Sequence, residues 1–424
     1  MNDFIYKTYL QILKEELVPA MGCTEPISIA YAASKVCDVL GGIPSKTRIE
    51  VCGNIIKNVK SVVVPNTGGL RGIKAAVAAG YVSKRPDLSL EVLSVLKPSD
   101  ITNIEKCMMD TEITIIPSKK PYKFYIEIDG FKNDSYVKVI IIDYHTNIVL
   151  VERNQEILFK SGYDIDEENA YATDRRALTM DKIFWFVNNV KIADVEEIIN
   201  RQIEYNSKIA KIGLEGKYSS AVGKTLIDLY GDDVKIRAKA YPAAGSDARM
   251  GGCDLPVVIV SGSGNQGMTT SLPVIEYAKE LNASHEKLIR ALVLANLVTI
   301  DEKKEIGRLS AFCGAVSAAC GAAAGICYLF DGSYEEICST IKNSLGITSG
   351  MVCDGAKASC AAKISAAVDA GLLGFYLTKN NHNFKAGDGI LANDVNDTIN
   401  NVGTIAREGM QTTDEKILKI MVED

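Results

Sequence analysis

Cysteine is the residue type whose placement in this chain says most about chemistry. Cys313 lies in SAFCGAV, and Cys353 and Cys360 lie in GMVCDGAKASCAAKI, both stretches of small residues. Three thiolates can hold a metal cluster and leave one coordination position open, as a Lewis-acid catalyst requires. Spacing sorts the candidates. Cys313, Cys320 and Cys327 recur every seven residues. On one continuous helix, however, fourteen residues rise about 21 Å, too far for one compact cluster. Cys320 and Cys327 are therefore expected as small buried hydrophobes. Cys353 and Cys360 are also seven apart, but Asp354-Gly355 between them is a turn signal. Cys353 can thus precede a helix that carries Cys360, with Cys313 supplied by another helix. Nothing follows the four-cysteine ferredoxin spacing, and core thiols remain the alternative reading of all three.

A fourth cysteine, Cys23 in MGCTEP, sits beside an expected helix start. Helix N-terminal amides stabilise a thiolate, and a thiolate facing a substrate can remove a proton. Glu25 works against this, because a nearby carboxylate raises a thiol pKa. A buried cysteine ahead of a cap is the alternative.

Two glycine-rich turns are candidate anion sites. Asn66, Thr67 and Gly68 of PNTGG offer backbone N–H groups and a hydroxyl to a carboxylate, or serve only as a turn. Gly262 to Gly267 matches G-x-G-x-x-G after LPVVIV, which raises a rival reading, a dinucleotide-binding oxidoreductase. That fold needs a second strand about 20 residues on, and ASHEKLIRALVLANLVTI reads there as helix. A turn carrying Ser263 and Asn265 into a substrate pocket fits better. Asp247 and Arg249 could pair with each other or face a ligand, and a structural ion pair near a site wall is expected. His145, His285 and His382 form no ligand or triad pattern and are expected at the surface.

The elements that must position these residues follow from periodicity. Residues 3–18 read as an amphipathic helix, and Thr24 as the cap of another reaching about Leu40, with Pro26 in its first turn. TRIEVCG and KSVVVP read as strands, followed by a helix at IKAAVAAGYV. EITIIP, KFYIEI, SYVKVIIIDY and NIVLVER read as further strands. From about Glu167 the helical period dominates. The expected fold class is α+β: a mainly helical catalytic domain over 1–87 and 165–424, carrying the cysteines, with a smaller β-rich domain inserted at 88–164. Leu309 to Phe330 holds 22 residues without a charge. Its Ala, Gly, Ser and Cys content favours a buried, closely packed helix over a membrane span.

Composition narrows the class. The chain has 424 residues, 47 % hydrophobic and 24 % charged, with net charge −6 and no basic block. That disfavours nucleic acid or an anionic membrane as the main partner. The N-terminus lacks the layout of a signal peptide, and the odd count of 11 cysteines argues against a disulfide framework. A cytoplasmic, reducing setting is expected.

Together GCTEP, PNTGGLRG, AGSDARMGG, SGSGNQG and the cysteine trio resemble the L-cysteine desulfidase family, which is related to iron–sulfur L-serine dehydratases. The resemblance runs from Cys23 to Cys360. It implies a [4Fe–4S] cluster on Cys313, Cys353 and Cys360, with the fourth iron open, and Cys23 as base. It implies elimination of sulfide from L-cysteine, giving pyruvate and ammonia without pyridoxal phosphate. The substrate carboxylate would sit on Asn66, Thr67 and Gly68 or on Ser263 and Asn265. The Ser-Ser-Ser-His-Thr motif and C-terminal cysteine of the serine dehydratases are absent here, which favours cysteine over serine. A serine dehydratase, or a non-catalytic relative that holds a cluster for sensing, are the alternatives. The expected partner is a small amino acid, and a homodimer is compatible with the chain.

Overall fold

The computed structural model describes residues 2–161, 173–307 and 309–423. The first part runs α1 (Asn2–Glu16), β1 (Pro19–Met21), α2 (Thr24–Leu40), β2 (Lys46–Val51), α3 (Gly53–Val59), α4 (Gly72–Ser83) and α5 (Ile101–Asp110). Then come β3 (Glu112–Pro117), β4 (Tyr125–Lys132), β5 (Ser135–Ile142), β6 (Ile148–Arg153) and β7 (Glu156–Lys160). The remainder is α6 (Met180–Asn189), α7 (Ile192–Gly213), α8 (Val222–Tyr230), α9 (Val234–Met250), β8 (Pro256–Val258), α10 (Gly264–Glu280), α11 (His285–Ile306) and α12 (Gly314–Leu329). It closes with α13 (Tyr334–Thr348), α14 (Cys360–Lys379), α15 (Val395–Thr404) and α16 (Gln411–Glu423). The fold is α+β.

Six strands form one sheet in the order β3-β2-β4-β5-β6-β7. Only β2 and β3 pair in parallel; the other neighbours are antiparallel. Alternation along β4 explains its two faces. Ile126 and Ile128 are buried in the core shared with α2. Glu127 and Asp129 point the other way and are held by Arg48 at 3.2 and 2.8 Å. The sheet draws β2 from ahead of residues 88–164, because β2 lies between β3 and β4. The far edge of that range, 164/165, lies outside the described residues.

KSVVVP is not a strand. Val62 and Val64 are buried, but the segment closes on itself, with Val64 N–H donating to Leu70 O at 2.9 Å. Thr24 is the first residue of α2 and not its cap; Cys23 takes the cap position.

The small-residue segment after Leu309 becomes α12, buried along nearly its whole length. Its glycines set the packing distance. A Cβ on Gly321 would lie 2.4 Å from Ala295 O of α11, and one on Gly371 of α14 would lie 2.8 Å from Ala319 O of α12. Glycine at these crossings brings backbones into contact, so the starts of α12 and α14 are placed by close packing. Cys320 and Cys327 are buried in this layer as expected.

Candidate active site

Four helices begin at one cavity of about 120 Å3. Cys23 caps α2, Ser263 caps α10, Cys313 caps α12, and Cys360 opens α14; all four line it. Helix N-termini leave N–H groups unbonded and carry partial positive charge, so their convergence favours an anionic occupant.

Cys313 and Cys353 meet through a short antiparallel bridge, Phe312 opposite Val352. Cys313 N–H donates to Met351 O at 3.0 Å and Cys353 N–H to Ala311 O at 2.6 Å. The thiols then form a pair. The Cys313 thiol donates to the Cys353 sulfur, which lowers Cys353 below the ordinary thiol range against the pull of burial, with Lys57 assisting. Cys313 rises for the same reason, reinforced by burial. The turn after Cys353 depends on Gly355. Its φ is +96°, and a Cβ would sit 2.4 Å from Lys57 O, so a side chain is excluded both by conformation and by space. Lys357 Nζ donates to Asp354 O at 2.8 Å, and Lys363 Nζ to Val352 O at 2.8 Å, pinning the loop. Cys360 Sγ lies 3.5 Å from Gly355 O. Burial, then the nearby Cys353, raises its thiol.

Cys23 reaches the same cavity in a different setting. Its Sγ donates to Glu25 Oε2 at 3.1 Å, and it is 1 % exposed. Burial and then the Glu25 charge push this thiol well above its ordinary value, with Arg249 opposing. Burial alone would raise Glu25, but the His145 charge, the Cys23 thiol and Arg249 outweigh it and hold the carboxyl below its usual range. Asn58 Nδ2 donates to Glu25 Oε1 at 2.8 Å.

Ser263 and Asn265 line the cavity. Arg249 Nη1 donates to Asn265 Oδ1 at 3.1 Å, and its Nε donates to Gly22 O at 2.7 Å. The expected Asp247–Arg249 pair does not form. Both lie on α9, where residues two apart face different ways, and Asp247 instead accepts from Gly223 N–H at 3.0 Å. The G-x-G-x-x-G run follows a three-residue strand, β8, paired antiparallel with β1, and is followed by α10 and α11. The parallel βαβ unit of a dinucleotide fold is not formed there. Asn66, Thr67 and Gly68 are not among the residues lining the cavity. Asn66 Nδ2 donates to Leu93 O at 3.0 Å and Thr67 Oγ1 to Val64 O at 2.7 Å.

The pattern of the serine dehydratase alpha chain family matches residues 88–419. The chain belongs to the serine dehydratase alpha chain family. It is 55 % identical to a UPF0597 protein of Desulfitobacterium hafniense, over 99 % of this chain and 98 % of that one. It is 49 % identical to a UPF0597 protein of Lachnoclostridium phytofermentans over 99 % and 100 %, and 48 % identical to one of Finegoldia magna over 98 % and 100 %.

Membership in a family of iron–sulfur serine dehydratase-like lyases implies a cluster, and the donor set suits one. Cys313, Cys353 and Cys360 are free thiols on one cavity, with Lys57 and Lys363 beside them to offset negative charge. Among the described residues no three His, Cys, Asp or Glu side chains gather to hold a single metal ion. A cluster binds each thiolate through a different iron and asks for wider spacing.

Several lining residues escape sequence reasoning. His145 was expected at the surface but is 7 % exposed, its ring edge-on to Phe124 at 4.7 Å between centroids. It lies in the β5–β6 turn, which delivers Asp143 and His145 to the cavity. Lys57, Asn58 and Lys303 come from helical stretches with no motif. His285 and His382 are exposed as expected.

Proposed function

We propose that this protein is a [4Fe–4S]-dependent L-cysteine desulfidase, eliminating sulfide from L-cysteine to give pyruvate and ammonia without pyridoxal phosphate. One observation carries the reading: Cys23 lines the same cavity as Cys313, Cys353 and Cys360. The trio would hold the cluster, whose open iron would supply Lewis-acid activation of the departing sulfur. The first-turn amides of α10, with Ser263 and Asn265, suit the substrate carboxylate. Arg249 holds Asn265 in place and adds positive charge. Cys23 would take the Cα proton as base. Glu25 is its hydrogen-bond acceptor, placed to relieve the sulfur of a proton. Once sulfide has left, the aminoacrylate product hydrolyses in water.

The serine dehydratase alpha chain family favours a second reading, L-serine dehydratase, in which water leaves instead of sulfide. Pyruvate release from L-cysteine and L-serine, measured side by side on anaerobically reconstituted protein, decides between them. Pyruvate with equal sulfide from cysteine supports the desulfidase. Pyruvate from serine alone moves the chain to the dehydratases. Neither product from a loaded protein indicates a cluster-binding relative without turnover.

A further inference from the structure

His145 stands in the wall between two chambers. With Gly262 it lines both the inner cavity and an outer one of about 660 Å3. Its backbone is pinned by Ser28 Oγ, which donates to His145 O at 2.6 Å. Its ring is fixed against Phe124. On the inner side the charged groups lining its cavity are Glu25, Asp143, Lys57, Arg249, Lys303 and Lys363. On the outer side are Glu15, Glu16, Glu91 and Arg175. Arg175 is engaged by Glu15 at 2.5 Å and Glu16 at 2.8 Å.

Three side chains able to carry a proton, Cys23, Glu25 and His145, line the inner cavity, and His145 also lines the outer one. Cys23 bonds Glu25 directly, and Glu25 shares the inner cavity with His145. A base that takes a proton at each turnover must also lose one, and Cys23 is sealed from solvent. Resting on the desulfidase reading, we propose that His145 conducts the proton taken by Cys23, by way of Glu25, to the outer cavity. The Cα–H bond breaks, its electron pair forms the Cα–Cβ double bond, and the Cβ–S bond breaks with its pair on sulfur. The Cys23 thiol first passes its proton to Glu25 Oε2, and Glu25 passes it to neutral His145, which releases it to water in the outer cavity; the thiolate left on Cys23 then takes the Cα proton and is a thiol again. The departing sulfide takes a proton from solvent, so charge and protons balance. His145 acts through Glu25 and does not touch the substrate.

The test is His145→Asn in the reconstituted holoenzyme. Iron content and KM for L-cysteine should hold, kcat should fall roughly 100-fold, and added imidazole should restore rate in proportion to its concentration. The pH profile of the variant should lose the limb that belongs to the histidine. An unchanged kcat and profile, or a loss that imidazole does not rescue, overturns the inference. If His145→Asn fails to hold iron, His145→Gln is measured the same way; iron loss in both makes the residue structural and also overturns it. Wild-type protein that releases no sulfide sinks the desulfidase reading itself, whereas an active wild type with an indifferent variant sinks only the relay.

Discussion

Cysteines of two kinds share one cavity. Cys353 is drawn toward its thiolate by the Cys313 thiol that donates to it and by Lys57. Cys23 is driven toward its thiol by burial and by Glu25. Cys23 is the one of the two at a helix N-terminus, yet it is the one held protonated. The helix dipole contributes about 0.3–1 kcal/mol, less than one pKa unit of about 1.36 kcal/mol. Complete burial beside a carboxylate outweighs it. Immediate partners, and not position on a helix, set Cys353, proposed as a ligand-type sulfur, apart from Cys23, proposed as the base-type one; Cys313 and Cys360, the other proposed ligands, are raised as Cys23 is. A second pair of regions teaches the same lesson. The turn at Asn66–Gly68 spends its side-chain donors on its own loop, while the turn at Ser263–Asn265 opens a helix at the cavity.

The largest effect should come from the ligand-type cysteines. Cys313→Ala, Cys353→Ala and Cys360→Ala should each lose most iron and all pyruvate formation; full iron retention in one, by elemental analysis, removes that residue from the set. Next is the base-type cysteine. Cys23→Ala should keep its iron and lose roughly 100- to 10,000-fold in kcat; normal turnover would end the division between the two kinds. The two turns should differ more modestly. Asn265→Ala should raise KM roughly 10-fold, since it removes the partner of a buried guanidinium. Asn66→Ala should leave KM within about 2-fold while lowering stability by about 1 kcal/mol; steady-state kinetics and thermal melts separate these outcomes. The smallest change concerns Cys23 itself. Removing the Glu25 charge lowers the raised thiol, so alkylation of Cys23 by iodoacetamide, followed by peptide mass, should begin at lower pH in Glu25→Gln. A curve unmoved, or moved to higher pH, would show that burial alone holds the proton.

Much of the fold could be read from local pattern. β-branched runs with turn residues between them mark β2 to β6, and the apolar period marks α1, α2 and α4. KSVVVP misled because its valines are buried by a loop and not by strand partners. Asp247 and Arg249 misled because a polar, glycine-bearing stretch turned out to be helix, where i and i+2 diverge. In the site, the cysteines and the α10 turn carried local signals: small-residue surroundings, Asp-Gly, and a glycine-rich helix start. His145 carried none, since its burial depends on Phe124 and on Ser28 of α2, residues 21 and 117 positions away in the chain.

The sequence by itself singled out Cys23, Cys313, Cys353 and Cys360 as candidate acting sulfurs and Cys320 and Cys327 as core. Residue type, helical rise and turn chemistry are local, and they bear on Cys313, Cys353 and Cys360 before any fold is known. Only the tertiary structure decided which group each sulfur meets. Glu25 beside Cys23, Lys57 beside Cys353, and His145 between the two cavities all come from packing across distant segments. Protonation in a low-dielectric interior is set by such neighbours, not by spacing along the chain.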